Sequence, residues 1–277
     1  MAPAVGLVMK PLILSRQHVA HGTFVKTDAP TIVELLGAAG LDFAVLDAEH
    51  APFDRSGLDR MLLAGRAAGL PLLVRVADAG APGIQTALDL GAAGIVVPRV
   101  DSPAVAREVV ARAKFVGGER GFSISPRFAG YRTLGRDHAL AAGDRAAVVC
   151  QIESRQALNA VQLIAEVPGV NALFIGRADL ALSLGLDNPR NPALVQAVER
   201  IIDAARDAGR VCGLHVANVA EARHFAQRGV SWFVIGSDQG LLLRAARAIC
   251  RSDDPAPARE AERHRTSLLC NGDPHGR

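Results

Sequence analysis

The sequence has few aromatic residues, few cysteines and little excess of charge of either sign. Trp, Tyr and Phe make up only 4% of the 277 residues, which disfavours the aromatic platforms on which single-stranded nucleic acids stack. A formal net charge of +3, spread along the chain, is too small to indicate a nucleic-acid-binding surface. The four cysteines include no CxxC pair, so the sequence predicts neither a disulfide framework nor a zinc site.

Long uninterrupted apolar segments are also missing from the sequence. No stretch reaches the roughly 18 apolar residues that a membrane-spanning helix needs. The apolar N-terminal stretch is interrupted by Lys10 and Pro11 and has no basic start, so we expect no signal peptide. Hydrophobic residues make up 49% of the chain and charged residues 21%, which is enough apolar surface for a large core. The sequence therefore predicts a cytoplasmic globular protein with neither a membrane nor a nucleic acid as partner.

Short apolar runs alternate with amphipathic helical stretches along nearly the whole chain. Such runs are typical of parallel strands that are buried on both faces. Eight strand–helix units predict an α/β protein with a closed (β/α)₈ TIM barrel over residues 1–251, followed by a flexible tail at 252–277. An open doubly wound sheet would need a glycine-rich dinucleotide turn after an early strand, and the sequence has none. The predicted strands are 22–25, 43–46, 72–76, 94–98, 147–152, 172–175, 211–215 and 232–235.

One predicted connection is unusually long. Residues 116–143 join the fourth and fifth strands without clear periodicity and carry six glycines. Loops of this length in a compact domain usually have a function, so we expect this loop to line the site.

Polar residues follow most of the predicted strands. A barrel carries its chemistry at the C-terminal ends of its strands, so these residues are expected to converge on one rim. They are Asp47, Glu49, His50, Arg75, Asp78, Gln151, Glu153, Arg177, Asp179, His215, Asn218, Ser237 and Asp238.

Glu153 and Asp179 follow adjacent predicted strands, so their carboxylates can meet at one point. Two close carboxylates repel each other unless one is protonated or a cation lies between them. Oxygen ligands completed by water suit Mg²⁺ or Mn²⁺. The alternative is that each carboxylate only caps a helix N-terminus.

His50 and Arg75 are the candidate catalytic residues on the same rim. Asp47 precedes His50 by three residues, and a carboxylate partner can fix the imidazole tautomer and raise its basicity. Arg75 keeps its charge at all relevant pH values and is therefore suited to stabilising an oxyanion. Structural roles are the alternatives, with Arg75 in an ion pair to Asp47 or Glu49. For His215 and Asp238, core or capping roles are favoured.

Six segments together resemble the HpcH/HpaI family of class II pyruvate aldolases. They are VLDAEHAPFD, LLVRV, VVPRV, GERG at the start of the long loop, VCQIES and LFIGRADLALSLG, and the resemblance covers about residues 22–247. It implies a lyase that reversibly cleaves a 4-hydroxy-2-keto acid into pyruvate, or a close 2-keto acid, and an aldehyde. The reaction would pass through the enolate of pyruvate and would need a divalent metal, Mg²⁺, Mn²⁺ or Co²⁺.

The resemblance also implies a role for each site residue. Glu153 and Asp179 would be the metal ligands, and His50, oriented by Asp47, would be the general base. Arg75 would be the electrophilic partner of the keto oxygen. Gln151 would hold a water on the metal, and the backbone N–H groups of Ala178 and Asp179 would bind the pyruvate carboxylate. The sequence departs from the family pattern at Arg177 and in the segment 122–131 (FSISPRFAGY), which puts the substrate in doubt.

Three alternatives to a class II aldolase are less consistent with the sequence. A citrate-lyase-β-like acyl-CoA lyase usually carries an acidic LEDAV-type segment where this chain has DAEHAP. A catalytically silent barrel that binds a metal and a keto acid would have no need of His50 and Arg75 together. A Schiff-base mechanism is disfavoured because, of the three lysines, only Lys26 lies just past a predicted strand.

The resemblance further implies a closed homo-oligomer, a hexamer built as a trimer of dimers. Leu241, Leu242 and Leu243 are consecutive in the last predicted helix, 240–250. They cover more than the apolar stripe of about 100° that a helix needs to pack on its own barrel. The alternative is that the tail folds back over this surface.

Overall fold

The strands of the protein form a closed parallel barrel. The computed structural model describes residues 12, 14–188 and 190–252, and in it β1 to β8 pair in chain order, with β8 returning to β1. This confirms the predicted TIM barrel and excludes the open doubly wound sheet. The strands are β1 Ala20–Val25, β2 Phe43–Asp47, β3 Leu72–Arg75, β4 Gly94–Val97, β5 Ala147–Ile152, β6 Ala172–Ile175, β7 Val211–Val216 and β8 Trp232–Ser237.

Every strand is followed by at least one helix, and β4, β5 and β6 are each followed by two. The helices are α1 Pro30–Ala38, α2 Arg55–Ala67, α3 Ala81–Asp89, α4 Pro103–Ala113, α5 Arg136–Asp144, α6 Arg155–Asn159, α7 Val161–Glu166, α8 Arg177–Leu184, α9 Pro192–Asp207, α10 Val219–Ala226 and α11 Asp238–Ser252. None of the helices within these described residues is long and apolar enough to cross a membrane.

Helix α9 shows how the sequence sets these boundaries. The side chain of Asn191 accepts from the N–H of Ala193, and Pro192 occupies the first turn, where its missing N–H costs nothing. The helix buries an apolar stripe that includes Leu194, Val198 and Ile201. Beyond its C-terminus, Gly209 takes a positive φ of 69°, which a side chain would disfavour. Positive φ values also occur at Gly40, Gly69, Gly91 and Gly229, each of which lies between a helix and the next strand.

Aromatic packing fills the N-terminal end of the barrel interior. The rings of Phe43 and Trp232 stack with their centroids 4.4 Å apart, and both side chains are fully buried. Two glycines leave room for this stack. A Cβ on Gly213 would lie 2.5 Å from the Trp232 ring, and one on Gly22 would lie 2.5 Å from the Phe43 ring. Polar side chains are therefore left to the opposite end of the barrel, where the strands end.

The long connection between β4 and β5 is more regular than the sequence indicated. It contains a 3₁₀ turn, Arg127–Ala129, and helix α5. The helix was missed because it buries only Ala139 and Gly143 and so has no apolar stripe to detect. Two arginines fix the connection to the barrel. Arg120 donates to Asp89 and lies over the rings of Phe115 and Phe128. Arg127 donates to Asp59 and to the Leu90 carbonyl.

The chain divides into two compact units between Gln239 and Gly240, within α11. In the second unit, residues 240–252 are helical, and Leu242 and Leu243 expose 72% and 50% of their surface. Of the predicted tail at 252–277, Ser252 ends α11 and the other residues lie outside the described part of the chain.

Candidate active site

The predicted rim residues do lie at the C-terminal ends of the strands. Asp47 is the last residue of β2 and Arg75 the last of β3, and the two are direct partners in the strand register. Gln151 lies in β5, and Glu153 follows its last residue. Asp179 lies in the first turn of α8, which begins two residues after β6. Parallel strands thus deliver all five side chains to one end of the barrel.

A buried ion pair joins Asp47 and Arg75. Arg75 donates from Nε to Oδ1 at 2.9 Å and from a terminal nitrogen to Oδ2 at 2.8 Å, a bidentate geometry. The Asp47 side chain is fully buried, and that of Arg75 is 8% exposed. Burial acts to raise the pKa of Asp47, but hydrogen bonds and charges from Arg75 and Lys26 outweigh it and hold the pKa below its ordinary value. Asp47 is therefore an ionised anchor that fixes the direction of the guanidinium.

The structure does not bring Asp47 against the imidazole of His50. Asp47 Oδ1 accepts from the backbone N–H of His50 at 3.2 Å, and both of its oxygens are already used by cations. The imidazole Nε2 instead lies 3.6 Å from Glu49 Oε2, and the His50 side chain is 52% exposed. Glu49, rather than Asp47, is the carboxylate that faces the ring. Asp47 therefore orients the guanidinium of Arg75, and not the imidazole of His50 as predicted.

Glu153 is held in place by two donors. Its Oε1 accepts from the backbone N–H of Arg99 at 2.8 Å, and its Oε2 accepts from the Gln151 amide. Arg99 takes a φ of 53°, an uncommon conformation for a residue with a side chain. Burial raises the pKa of Glu153, the two hydrogen bonds act against this, and the charges of Glu49 and Asp179 add to the rise. The carboxylates predicted to act together therefore share one electrostatic environment.

The residues around Glu153 fit a divalent cation. Glu49 Oε2 and Gln151 Oε1 are buried and have no hydrogen-bond partner among the described residues. A Cβ on Gly176 would lie 2.6 Å from Glu153 Oε2, so the glycine leaves space beside this carboxylate. Within the described residues no three His, Cys, Asp or Glu side chains form a metal-binding group. A metal here would have two carboxylate ligands, with water and substrate in the other positions, as Mg²⁺ accepts.

The start of α8 supplies backbone donors beside these carboxylates. The N–H of Leu180 makes the helix's first internal bond, to Gly176, so the N–H groups of Ala178 and Asp179 have no partner inside the helix. Such a helix N-terminus favours a bound anion. Arg177, the departure from the family pattern, pairs with Glu221 at 2.7 Å and donates to the His215 carbonyl at 3.0 Å. It therefore joins the start of α8 to β7 and α10.

Two contacts at the site were not predicted from the sequence. Lys26 follows β1 and places Nζ 3.0 Å from Asp47 Oδ2, and its position after a strand was the signal that could have found it. The backbone contribution of Arg99 has no sequence signal. The contact of Glu49 Oε2 with Arg75 Nε, at 3.4 Å, is the ion pair given above as the structural alternative for Arg75. Asp238 has a structural contact, because its two oxygens accept from the N–H groups of Lys26 and Thr27, which directly follow β1.

Comparison with known proteins gives consistent matches over the whole barrel. The sequence model of a family described as HpcH/HpaI aldolase/citrate lyase matches residues 20–245. A hydroxypyruvate/pyruvate aldolase of Paraburkholderia phytofirmans is 34% identical over 234 residues, which are 82% of this chain and 90% of that protein. A 5-keto-4-deoxy-D-glucarate aldolase of Salmonella paratyphi A is 33% identical over 229 residues, covering 82% and 89% of the two chains.

A solved structure gives the same result. The crystal structure of a HpcH/HpaI aldolase/citrate lyase family protein from Burkholderia cenocepacia superposes with a TM-score of 0.81 at 32% identity. The match covers 85% of this chain and 94% of that one.

Loss of the Asp47 charge is expected to destabilise the fold at neutral pH. In Asp47→Asn, Arg75 stays buried without a carboxylate, so we expect the free energy of unfolding at pH 7 to fall by about 3 kcal/mol. The folded-state pKa of Asp47 lies below 3.8, so its stabilising effect is present above that pH and is lost as the pH falls through the folded value. The difference between variant and wild type should therefore shrink below about pH 4 in urea unfolding curves.

Asp203→Asn is the matched control, because Asp203 pairs with Arg206 at 2.7 Å on the surface with 54% of its side chain exposed. Exposed pairs contribute less than about 1 kcal/mol. Equal losses in the two variants would contradict the stabilising role of the buried pair.

Proposed function

The chain belongs to the HpcH/HpaI aldolase/citrate lyase family, and we propose that it is a class II aldolase acting on 4-hydroxy-2-keto acids. It would reversibly cleave such an acid into pyruvate, or a close 2-keto acid, and an aldehyde. The two relatives described above are both named as aldolases, which supports carbon–carbon lyase activity. The observation that carries the proposal is the buried Arg75, held by Asp47 at the same end of the barrel as Glu153.

We propose Glu153 and Asp179 as the ligands of a divalent metal, Mg²⁺, Mn²⁺ or Co²⁺. When bound, such a metal withdraws electron density from the keto oxygen of the substrate and offsets the negative charge that develops there. Gln151 keeps Glu153 in position through its amide, and its unpartnered Oε1 can accept from a water in the site. The backbone N–H groups of Ala178 and Asp179 would bind the substrate carboxylate.

Arg75 acts on the keto oxygen of the substrate. Its guanidinium is planar, permanently charged and fixed by Asp47, so it need not reorganise as charge develops on that oxygen. Preorganisation of this kind is what makes a donor worth more in a protein site than in water. The ion pair between Arg75 and Asp47 is therefore compatible with a catalytic role for Arg75, because the pair fixes the orientation of the guanidinium.

His50 is the proposed general base. It would take the proton of the C4 hydroxyl, after which the C3–C4 bond breaks, the aldehyde leaves and the enolate of the 2-keto acid remains. Protonation at C3 then gives the free keto acid. The Glu49 carboxylate, 3.6 Å from Nε2, is placed to stabilise the imidazolium that forms when His50 takes up the proton.

The two alternatives, an acyl-CoA lyase and a catalytically silent barrel, differ from an aldolase in the substrate that is cleaved. An acyl-CoA lyase would cleave a CoA ester, and a silent barrel would bind a keto acid without turnover. A panel of aldehydes with pyruvate, assayed for product with and without EDTA, separates the three. The cytoplasmic location stays a prediction of the sequence.

Activity is expected to depend strictly on a divalent metal. Dialysis against EDTA should abolish aldol cleavage, and Mg²⁺, Mn²⁺ or Co²⁺ should restore it, because two carboxylates alone cannot stabilise an enolate. Asp179→Asn should weaken metal binding measured by calorimetry, whereas Asp187→Asn, an exposed carboxylate after α8, should bind metal like wild type. Full activity after removal of the metal would falsify the class II assignment.

His50→Ala is expected to separate catalysis from metal binding. The rate of aldol cleavage should fall by about 10²–10⁴-fold, the usual contribution of a general base, with metal affinity nearly unchanged. His138→Ala, which removes an exposed histidine of α5, is the control for loss of an imidazole. Loss of the metal in the His50 variant would show that His50 is a ligand rather than the base.

We propose that the chain forms a homo-oligomer, and specifically a hexamer. The exposed Leu242 and Leu243 support a contact through α11, because contiguous exposed apolar surface usually marks an interface. Light scattering on dilute protein should give a mass several times that of the 29.0 kDa chain. Leu242→Asp should lower that mass, since a charge cannot be buried unpaired in an apolar contact. A wild-type protein that is monomeric would contradict the proposal.

A further inference from the structure

Lys26 lies directly beside the Asp47–Arg75 pair. Its Nζ is 3.0 Å from Asp47 Oδ2, the same oxygen that accepts from Arg75 at 2.8 Å. Among the described residues, Asp47 is the only carboxylate within ion-pair distance of Lys26. An ammonium group has three N–H donors, and 27% of the Lys26 side chain remains exposed. The ammonium therefore has donors left for a molecule bound in the mouth of the barrel.

The backbone of Lys26 is fixed independently of its side chain. The two oxygens of Asp238, a buried residue at the end of β8, accept from the N–H groups of Lys26 and Thr27, each at 3.0 Å. This contact holds the chain where β1 ends. Phe24 lies under both cations, with Lys26 Nζ 5.9 Å and the Arg75 guanidinium 4.5 Å from its ring centre. Lys26, which follows β1, and Arg75, which ends β3, thus place their charged groups beside the same carboxylate, that of Asp47.

The positive charge of Lys26 also reaches across the mouth of the barrel. Burial lowers the pKa of His215, at the end of β7, and the charges of Arg177, Arg75 and Lys26 lower it further against the opposing charge of Glu221. The Lys26 ammonium therefore makes a small contribution at His215.

The charge balance of the site indicates that the positive charge of Lys26 is needed when the enolate forms. The site carries four carboxylates, Asp47, Glu49, Glu153 and Asp179, against the two cations Lys26 and Arg75. A divalent metal brings the sum to zero. A 2-keto acid then adds one negative charge and its enolate a second, so the site has no surplus positive charge when the enolate forms. Loss of either cation leaves that charge less stabilised.

We propose that Lys26 is a further catalytic residue, which donates with Arg75 to the oxygen that becomes negative as the enolate forms. This inference rests on the proposed aldolase function and deepens it. Lys26 stays a cation throughout and forms no covalent bond to the substrate, so the bonds made and broken are those of the mechanism above. The rival role for Lys26 is a Schiff base with the keto acid.

The first test compares ligands of the metal-loaded protein. Oxalate is a planar dianion with the shape and charge of the pyruvate enolate, whereas pyruvate itself carries one charge. In Lys26→Met the Kd of oxalate should rise by at least about tenfold, because the variant loses one contact to the negative charge. The Kd of pyruvate should change by less than about threefold. Lys26→Arg should restore most of the oxalate affinity. Equal weakening of both ligands would indicate a structural role and overturn the proposal.

The second test follows enolate formation without any aldehyde. Exchange of the pyruvate methyl protons for deuterium, measured by NMR, should slow by about 10–100-fold in Lys26→Met. Arg60→Met is the matched control, because Arg60 pairs with Asp28 at 2.7 Å but is 53% exposed on the surface, and its exchange rate should equal that of wild type. If Lys26→Met fails to fold, Lys26→Gln keeps a donor to Asp47 without the charge.

The outcomes separate the two proposals. Exchange at the wild-type rate in Lys26→Met would overturn the role of Lys26 alone. Absence of exchange in the wild-type protein with Mg²⁺, Mn²⁺ or Co²⁺ would instead refute the proposed function. Borohydride added with pyruvate should leave the mass of the protein unchanged. A covalent adduct on Lys26 would overturn both the cationic role and the class II mechanism.

Discussion

The buried bidentate contact between Asp47 and Arg75 is the interaction on which the site depends. Each residue ends its strand, and the β2–β3 register makes them direct partners, so the contact is built into the sheet. A carboxylate and a guanidinium removed from water are costly apart and are stable only when their geometry satisfies both. The pair therefore fixes a permanent cation at the barrel mouth, and the keto oxygen of a substrate can be placed against it.

The side of the barrel mouth around Glu153 is rich in carboxylates rather than cations. Glu153 is buried, its pKa is raised, and nearby Glu49 and Gln151 each keep a buried oxygen that accepts no hydrogen bond from the described residues. Such an arrangement is unfavourable unless a cation and its waters complete it. In the proposed mechanism the two sides complement a 2-keto acid, because Arg75 would contact its keto oxygen and the first turn of α8 would bind its carboxylate.

The rest of the barrel keeps these groups where they are. The Phe43–Trp232 stack fills the opposite end of the interior and leaves the polar end for the ligand. Arg177 joins α8 to β7 and α10 through Glu221 and the His215 carbonyl, so the departure from the family pattern has a structural role beside the proposed carboxylate site. Lys26 is fixed in the same manner by Asp238 across the β1–β8 seam.

The sequence by itself determined the barrel, the family and the positions of the rim residues. Continuous apolar runs locate parallel strands directly, and β5 and β6 have the predicted bounds. The family and the aldolase reading are confirmed by the comparisons, whereas the roles of Glu153, Asp179 and His50 stay predictions. Helix α5 was missed because it buries too few apolar residues to show a period.

Only the tertiary structure decided which rim residues touch. Asp47 precedes His50 by three residues, yet it binds Arg75 and Lys26, because strand register rather than sequence separation brings side chains together at a barrel end.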